Sequence, residues 1–174
     1  MEFTDSASVP RPSDHMSSPT ISRQDREALT ESAKAGMRNA YAPRSGFPVG
    51  AAVLTFHGNV YQGCNVESVI SGLGTCAERC AIDHAVAHGE YCFRAMLVTS
   101  RLENPIRPCG ACLQYINEFA QIGKDDIVIF MVGATGKVAR SSIWEMLPGG
   151  FGPKDLGLDL SRYVKNNSEG LSED

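Results

Sequence analysis

The stretch GTCAERCAIDHAVAHGEYCFRAMLVTS, residues 74–100, joins a predicted helix to a predicted strand. The helix covers CAERCAIDHAVAHG and ends at Gly89, because glycine readily adopts the left-handed conformation that follows a helix. The apolar run CFRAMLVTS then favours a strand. Past a loop that reaches Pro108, the pattern repeats: CGACLQYINEFAQ predicts a helix and DIVIFMV a strand. This alternation indicates helices packed against a sheet.

The flanking segments complete the order of elements. Ser22 and Asp25 resemble a capping box that opens an apolar-faced helix, which Pro43 would end at about Ala42. The runs PVGAAVLTF and VYQGCNV, separated by HGN, predict a hairpin. Towards the C-terminus, GATG leads into a short strand at 137–139 and IWEML predicts a last helix. The order predicts an α/β fold, a three-layer α/β/α sandwich whose mixed sheet of about five strands carries helices on both faces.

The length and composition suit one compact domain. The chain has 174 residues and 43% hydrophobic content. Residues 1–20 are rich in Ser, Pro and Asp and predict a disordered N-terminal tail. Residues 161–174 predict a polar C-terminal tail, which leaves a single folded domain at residues 21–160. The sequence contains no internal repeat.

The overall charge excludes several classes of partner. The net charge of −4 argues against a broad phosphate-binding surface, so polynucleotide binding is not expected, although a single nucleoside remains a possible ligand. No apolar run approaches the roughly 20 residues that span a bilayer, and no signal-peptide pattern opens the chain, so we expect no membrane partner. Six cysteines in such a chain indicate thiols or metal ligands in a reducing cytoplasm.

The candidate metal ligands lie at the starts of two predicted helices. Cys76 opens one helix, and Cys109 and Cys112 follow Pro108 in the first turn of the next. Cysteines three residues apart share one face of a helix, and helix N-termini favour the thiolate form. Three thiolates leave a tetrahedral Zn²⁺ with one open position, which is typical of a catalytic site.

The residues that follow Cys76 suit proton transfer. A carboxylate at Glu78 would lie close to a water molecule at the open position without binding the metal. It could accept a proton from that water and return it to a substrate. Arg79 is placed to donate hydrogen bonds to thiolate sulfur and to offset part of the negative charge of the site.

Other interpretations of these motifs remain open at this stage. The pair Cys109 and Cys112 could be a redox pair, and Cys80 could complete a structural zinc site without catalysis. His84 and His88 have a spacing that can bind a metal, but without a third ligand we interpret them as a polar helix edge.

The paired motifs CAER and PCGAC resemble the small, homotetrameric cytidine deaminases. Further matches are SGFPVGAA (45–52), NVES (65–68), INEF (116–119) and MLPGGFGPKDL (146–156). The resemblance covers about residues 22–157. It implies the cytidine-deaminase type of α/β/α sandwich and zinc-dependent hydrolysis of cytidine and 2′-deoxycytidine to uridine and 2′-deoxyuridine in pyrimidine salvage.

The resemblance also implies roles for five further residues. Asn65 and Glu67 would bind the ribose, Phe47 would contact the pyrimidine ring, and the backbone of Ala77 would read the base edge. Phe151 would stack on the base from a neighbouring subunit, so that the tetramer shares its active sites. Without the resemblance, ordinary core packing would be the preferred interpretation of Phe47 and Phe151.

The sequence departs from the family pattern around the predicted sugar site. The segment NVESVISG places Ser68, Val69 and Ser71 where the family usually has Asn, a small residue and an aromatic residue. Leu113 replaces a common Arg, and Arg44 stands where Tyr is common. These departures motivate an alternative, a related aminohydrolase for another aminopyrimidine nucleoside such as blasticidin S or a modified cytidine.

Overall fold

The computed structural model describes residues 19–165. The helices are α1 (Arg23–Arg38), α2 (Ala77–Val86), α3 (Gly110–Gly123), α4 (Ile143–Met146) and α5 (Ser161–Lys165), with a 3₁₀ turn at Pro153–Leu156. The strands are β1 (Val49–Thr55), β2 (Val60–Cys64), β3 (Phe93–Ser100), β4 (Val128–Val132) and β5 (Val138–Ser142).

The five strands form one mixed sheet in the order β2-β1-β3-β4-β5. Strands β1 and β2 form the predicted antiparallel hairpin, with Ala52 opposite Gln62. Strand β3 is antiparallel to β1 and parallel to β4, whereas β5 returns antiparallel to β4. Helix α3 is therefore the crossover that connects the parallel strands β3 and β4.

Helices cover both faces of the sheet, which confirms the predicted three-layer α/β/α fold. On one face, Leu29 and Ala33 of α1 pack against sheet residues that include Leu54 and Leu97. On the other face, α2 and α3 pack against the alternate residues of the same strands, such as Val53 and Met96. Successive side chains along each strand therefore contribute alternately to two separate hydrophobic cores, one on each face of the sheet.

Two glycines let the helices approach the sheet backbone closely. A Cβ atom at Gly50 in β1 would collide with the carbonyl oxygen of Ala33 in α1. A Cβ atom at Gly63 in β2 would collide with the Ala77 carbonyl and the Ala81 amide of α2. The backbone of β1 therefore contacts the backbone of α1 directly, and the backbone of β2 contacts that of α2.

Three element ends differ by three or more residues from the sequence prediction. Helix α1 ends at Arg38, not near Ala42, because Tyr41 exchanges backbone hydrogen bonds with residues 65 and 67 and must be extended. Helix α2 ends at Val86, and a turn continues to Gly89 at a positive φ of 79°. Strand β5 is longer than predicted, because residues 138–142 pair with the whole of β4.

The predicted tails lie largely outside the described residues. Residues 1–18 of the predicted N-terminal tail and residues 166–174 of the C-terminal tail are not described. Within the described range, the Thr20 carbonyl accepts a hydrogen bond from Arg94, and Tyr163 of α5 packs edge-on against Tyr91. The domain boundaries at 21 and 160 stay a prediction. Among residues 19–165 no helix combines the length and the hydrophobicity needed to cross a bilayer.

Candidate metal centre and active site

The sheet topology brings the starts of α2 and α3 together. Strands β2 and β3 both pair antiparallel to β1, so they run in the same direction and end at the same edge of the sheet. Helix α2 follows β2, and α3 follows β3. The loops at 65–76 and 101–109 therefore place the N-termini of α2 and α3 next to each other at this edge of the sheet, as expected at the carboxyl ends of parallel strands.

Three cysteine sulfurs meet at these N-termini. The Sγ atoms of Cys76, Cys109 and Cys112 all lie within 4.8 Å of one another, and the Cys76–Cys109 separation is 4.0 Å. Cys76 and Cys109 occupy the N-cap positions of their helices, yet neither side chain caps its helix. Tetrahedral zinc with Zn–S bonds of about 2.3 Å needs sulfurs about 3.8 Å apart. The donor set and its spacing fit Zn²⁺.

The thiols differ in how readily they ionise. Burial raises the pKa of the Cys112 thiol, and the Glu78 carboxylate raises it further. Burial also opposes ionisation of Cys109, but hydrogen bonds from the Cys112 backbone N–H and thiol outweigh it and lower the pKa of Cys109. Because metal ligation requires thiolate, a cation at this cluster would displace the Cys112 proton.

Glu78 lies against the cluster from the first turn of α2. The residue is only 5% exposed, and its carboxyl group interacts with the thiol of Cys112. Burial raises the pKa of this carboxyl group, although its own backbone N–H and Cys112 partly oppose the shift. A carboxyl group with a raised pKa can take up and release a proton closer to neutral pH.

Arg79 contacts the outer side of the cluster. Its Nη2 lies 4.0 Å from Cys76 Sγ and 3.4 Å from the Gly74 carbonyl oxygen. Its Nε–H is buried and has no hydrogen-bond acceptor among the described residues. A guanidinium group held this way favours negative charge on the thiolates.

Cys80 is not part of the cluster. Among residues 19–165, three metal-binding side chains come together at Cys76, Cys109 and Cys112, and Cys80 does not belong to this group. Cys80 instead interacts with Cys64 of β2. The structural-zinc interpretation, which needs Cys80 as the fourth ligand, is therefore not favoured.

The residues predicted to bind the ribose hold the loop that precedes β1. The Glu67 carboxylate accepts hydrogen bonds from the backbone N–H groups of Arg44 at 2.7 Å and Ser45 at 3.2 Å. The Ser45 side chain and these N–H groups lower the pKa of Glu67. Asn65 accepts from the Val49 N–H at 2.8 Å and donates to the Phe47 carbonyl at 3.0 Å.

A short backbone bridge ties this loop to the cysteine cluster. Val66 and Thr75 exchange two N–H···O bonds of 3.0 and 2.9 Å, and Thr75 directly precedes Cys76. The structure thus brings Phe47, Asn65 and Glu67 together, next to the start of α2. Ala77, the first residue of that helix, is fully buried.

A groove of about 480 Å³ opens on the outer side of Glu67. It contains three of the positions at which the sequence departs from the family pattern. These positions are Arg44, Ser68 and Ser71, so one arginine and two serines line the groove where the family pattern differs. The lining residues are Arg44, Ser45, Glu67, Ser68, Ile70, Ser71, Gly72 and Gly74.

Phe151 is not packed in the core, which would be the preferred interpretation without the family resemblance. Its side chain is 60% exposed. The loop that carries it is held by side-chain amides of α3: Gln114 donates to the Phe151 carbonyl at 2.7 Å and Asn117 at 3.2 Å, while Gln121 donates to the Gly150 carbonyl at 3.2 Å. The sequence analysis missed these amides, although their spacing of three and four residues marks one helix face.

Known proteins resemble this chain along most of its folded part. The model of the family described as the cytidine and deoxycytidylate deaminase zinc-binding region matches residues 23–131. The cytidine deaminase of Sporosarcina psychrophila is 38% identical over 132 residues, which is 76% of this chain and 95% of that protein. The cytidine deaminase of Halalkalibacterium halodurans is 35% identical over 132 residues, covering 76% and 98% of the two chains.

Solved structures show the same fold. The crystal structure of cytidine deaminase from Burkholderia pseudomallei aligns with a TM-score of 0.67 at 42% identity and covers 72% of this chain and 98% of that one. Cytidine deaminase from Mycobacterium tuberculosis aligns with a TM-score of 0.62 at 30% identity, covering 74% and 98%. With three thiols and a buried glutamate gathered at two helix N-termini, this chain belongs to the cytidine deaminase family.

Proposed function

We propose that this protein catalyses the zinc-dependent hydrolytic deamination of cytidine and 2′-deoxycytidine to uridine and 2′-deoxyuridine, with release of ammonia, in pyrimidine salvage. The observation that carries the proposal is the buried Glu78 carboxyl group beside three thiols at two helix N-termini. The relatives named cytidine deaminase support the substrate class.

Cys76, Cys109 and Cys112 would hold the zinc ion. When bound, the ion supplies Lewis-acid activation of a water molecule near neutral pH. Arg79 donates towards Cys76 and offsets part of the charge of three thiolates, which would otherwise weaken that activation.

Glu78 moves the protons of the reaction. Its carboxylate takes a proton from the attacking water and delivers it to N3 of the pyrimidine. Glu78 then takes the proton of the new C4 hydroxyl group and gives it to the amino group at C4, so that the C4–N bond breaks, ammonia leaves and C4 keeps the oxygen as a carbonyl. The raised pKa of Glu78 suits both directions of transfer, because the group is neither too weak a base nor too weak an acid.

The nucleoside would lie between the cluster and the groove. Glu67 and Asn65 bind the ribose hydroxyls, Phe47 contacts the base, and the backbone of Ala77 reads the base edge. Asn65 also keeps Phe47 in place through its hydrogen bond to the Phe47 carbonyl. Carboxylate and amide groups suit a sugar diol, and an aromatic ring suits a flat base.

The active site would be shared within a homotetramer. Phe151 is exposed on a loop that α3 fixes, and we propose that it stacks on the base in a neighbouring subunit. Leu156 and Leu158, which follow this loop in the sequence, expose 62% and 54% of their surface, and exposed apolar side chains suit a subunit contact. A reducing cytoplasm is the expected location, since the cluster needs free thiols.

The variant Glu78→Gln tests the chemistry. We expect it to retain one zinc per chain and to lose turnover by at least about 10²-fold, because the amide cannot carry the proton. Zinc analysis and ammonia release from cytidine measure the two effects. Near-normal turnover in this variant would contradict the mechanism.

A substrate panel tests the specificity. Cytidine and deoxycytidine should give the highest kcat/KM, above cytosine, blasticidin S and single-stranded oligonucleotides. A higher kcat/KM for blasticidin S would overturn the proposed substrate class while leaving the role of Glu78 intact.

Mixing two inactive variants tests the shared site. Phe151→Ala lacks the stacking residue, and Glu78→Gln lacks the proton carrier. Mixed tetramers made by denaturing and refolding both chains together should regain activity, because some sites then combine Glu78 from one chain with Phe151 from another. Absence of recovery in tetramers shown to be mixed would argue against sharing.

A further inference from the structure

Two histidines lie at the opposite end of α2 from the cysteine cluster. His84 and His88 are both exposed, and their ring centroids are 5.0 Å apart at an interplanar angle of 62°. The ring of Tyr61 packs against both, with centroid distances of 5.2 and 5.0 Å. At about 1.5 Å rise per residue, His84 lies roughly 12 Å along the helix axis from Cys76.

Both imidazoles are oriented through the same ring atom. His84 Nδ1 lies 3.0 Å from the Gln62 carbonyl oxygen, and His88 Nδ1 lies 2.8 Å from the His84 carbonyl oxygen. A carbonyl oxygen only accepts, so each Nδ1 carries the proton and each Nε2 presents a lone pair. Metal-binding histidines commonly show this arrangement, with one nitrogen bound to a backbone carbonyl and the other ligating.

Each carbonyl has a reason to accept a side chain. The backbone N–H of His88 donates to Ala85, so the His84 carbonyl at the end of α2 lacks its usual helical donor. Gln62 lies on β2, which is an edge strand and leaves alternate carbonyls unpaired. The two rings are thus held by the fold, and ordering them on an ion would cost little side-chain entropy.

We propose that His84 and His88 form a second metal site, which takes a first-row divalent ion such as Zn²⁺, Ni²⁺ or Cu²⁺ through their Nε2 atoms. With N–metal bonds of about 2.1 Å, each ring centroid lies about 3.2 Å from the ion, so two rings at a tetrahedral angle are about 5.2 Å apart. The observed centroid separation of 5.0 Å is short enough for both Nε2 atoms to reach one ion. Imidazole is a preferred ligand of these ions, and the C-terminal end of a helix favours a cation.

The sequence alone favours a polar helix edge for these two histidines, because no third ligand is nearby. The hydrogen bonds that orient both rings favour instead a site with two protein ligands and water in the other positions. Among residues 19–165, no third histidine, cysteine or carboxylate joins this pair in a metal-binding group. We therefore expect an exchangeable ion with weaker binding than at the three cysteines, which hold their ion through thiolates.

A Ni²⁺ titration of the zinc-loaded protein tests the site. Isothermal calorimetry should show one Ni²⁺ per chain, with the zinc content unchanged. His84→Gln and His88→Gln should each weaken Ni²⁺ binding at least tenfold. Glutamine retains an N–H donor for the carbonyl and lacks the ligating ring nitrogen, so the fold is kept while the site is lost.

The two remaining histidines of the chain supply matched controls. His15→Gln and His57→Gln should bind Ni²⁺ like the unaltered protein. Undiminished binding in both His84→Gln and His88→Gln, or one Ni²⁺ per two chains, would overturn the site as described. Cytidine turnover should be the same in all four variants, since none alters the catalytic residues.

Thermal unfolding gives a second readout. Ni²⁺ should raise the Tm of the unaltered protein, because an ion that binds only the folded chain stabilises it. The double variant His84→Gln/His88→Gln should show no such rise. An equal rise in the double variant would overturn the proposal even if the single variants folded poorly.

Discussion

The cysteine cluster and the groove beside Glu67 are neighbours built in different ways. The cluster is formed by the N-termini of α2 and α3, and its position follows from the order of the strands. The groove is formed by loops at 44–47 and 65–74, which are held by contacts between side chains and backbone. The comparison indicates that the position of the cluster depends on the fold, whereas the shape of the groove, where we propose that the sugar binds, depends on individual loop residues.

Removing one ligand should have the largest effect. Cys112→Ala deletes the buried thiol of the cluster and leaves two ligands on separate helices. We expect loss of the zinc and of nearly all turnover, measured by metal analysis and ammonia release. Cys80→Ala, the matched control one helix turn beyond Cys76, should retain both. Zinc loss in the control would mean that the cluster extends beyond three cysteines.

Glu67→Gln should have an intermediate effect. The amide still accepts from the N–H groups of Arg44 and Ser45 but loses the charge that strengthens these bonds and the proposed contact with the ribose. We expect kcat/KM for cytidine to fall about ten- to a hundredfold, mostly through KM, with full zinc content. Loss of zinc in this variant would show that the groove and the cluster are not separable.

Arg44→Ala should have a small effect. Its side chain lines the groove, while its backbone N–H, which the substitution keeps, holds Glu67. We expect a change in KM of a few fold and an unchanged kcat. Steady-state kinetics with cytidine and deoxycytidine measures both. A large fall in kcat would mean that Arg44 affects the chemical step, and would contradict the distinction between the groove and the cysteine cluster.

A substitution far from both regions should change stability alone. Glu90 is 6% exposed and interacts with His57 at 3.0 Å and with Asn59 at the hairpin turn. Burial would raise the pKa of Glu90, but hydrogen bonds from Asn59, Thr55 and His57 lower it. Glu90→Gln should therefore reduce the free energy of unfolding by about 1–3 kcal/mol at pH 7 without changing kcat/KM.

The pH dependence of this loss has a definite sign. A carboxyl group whose pKa is lower in the folded than in the unfolded protein stabilises the fold at any pH above its unfolded-state pKa, which is about 4.3. This contribution is lost as the pH falls through the folded-state pKa. The stability difference between Glu90→Gln and the unaltered protein should thus shrink below about pH 4.5. Thermal unfolding followed by circular dichroism between pH 7 and pH 3 measures it. A difference that widens on acidification would contradict the lowered pKa.

The sequence predicts the parts of this protein whose signals are local. The order of helices and strands and the spacing of Cys76, Cys109 and Cys112 are readable from short segments. The end of α1 is not, because it depends on Tyr41 pairing with a loop some 25 residues further along the chain. The extent of β5 depends in the same way on its neighbour β4.

Side-chain contacts between distant segments are the least predictable part of the site. A polar row on α3 consists of Gln114, Asn117 and Gln121. Its spacing in the sequence does not predict that the loop of Phe151 packs across it. Arg44 and Ser71 are far apart in the sequence, and only the folded chain shows that they face the same groove.

The contact of Gly63 with α2 bears on how stiff the metal centre is. Side chains between a helix and a sheet usually act as a deformable layer, because rotamers can shift when the protein warms or is strained. Here the α2 backbone rests on strand β2 without such a layer, one turn from Cys76. The backbone that carries Cys76 is therefore held directly against the sheet, and the distance of its sulfur to α3 should vary little with temperature until the sheet itself unfolds.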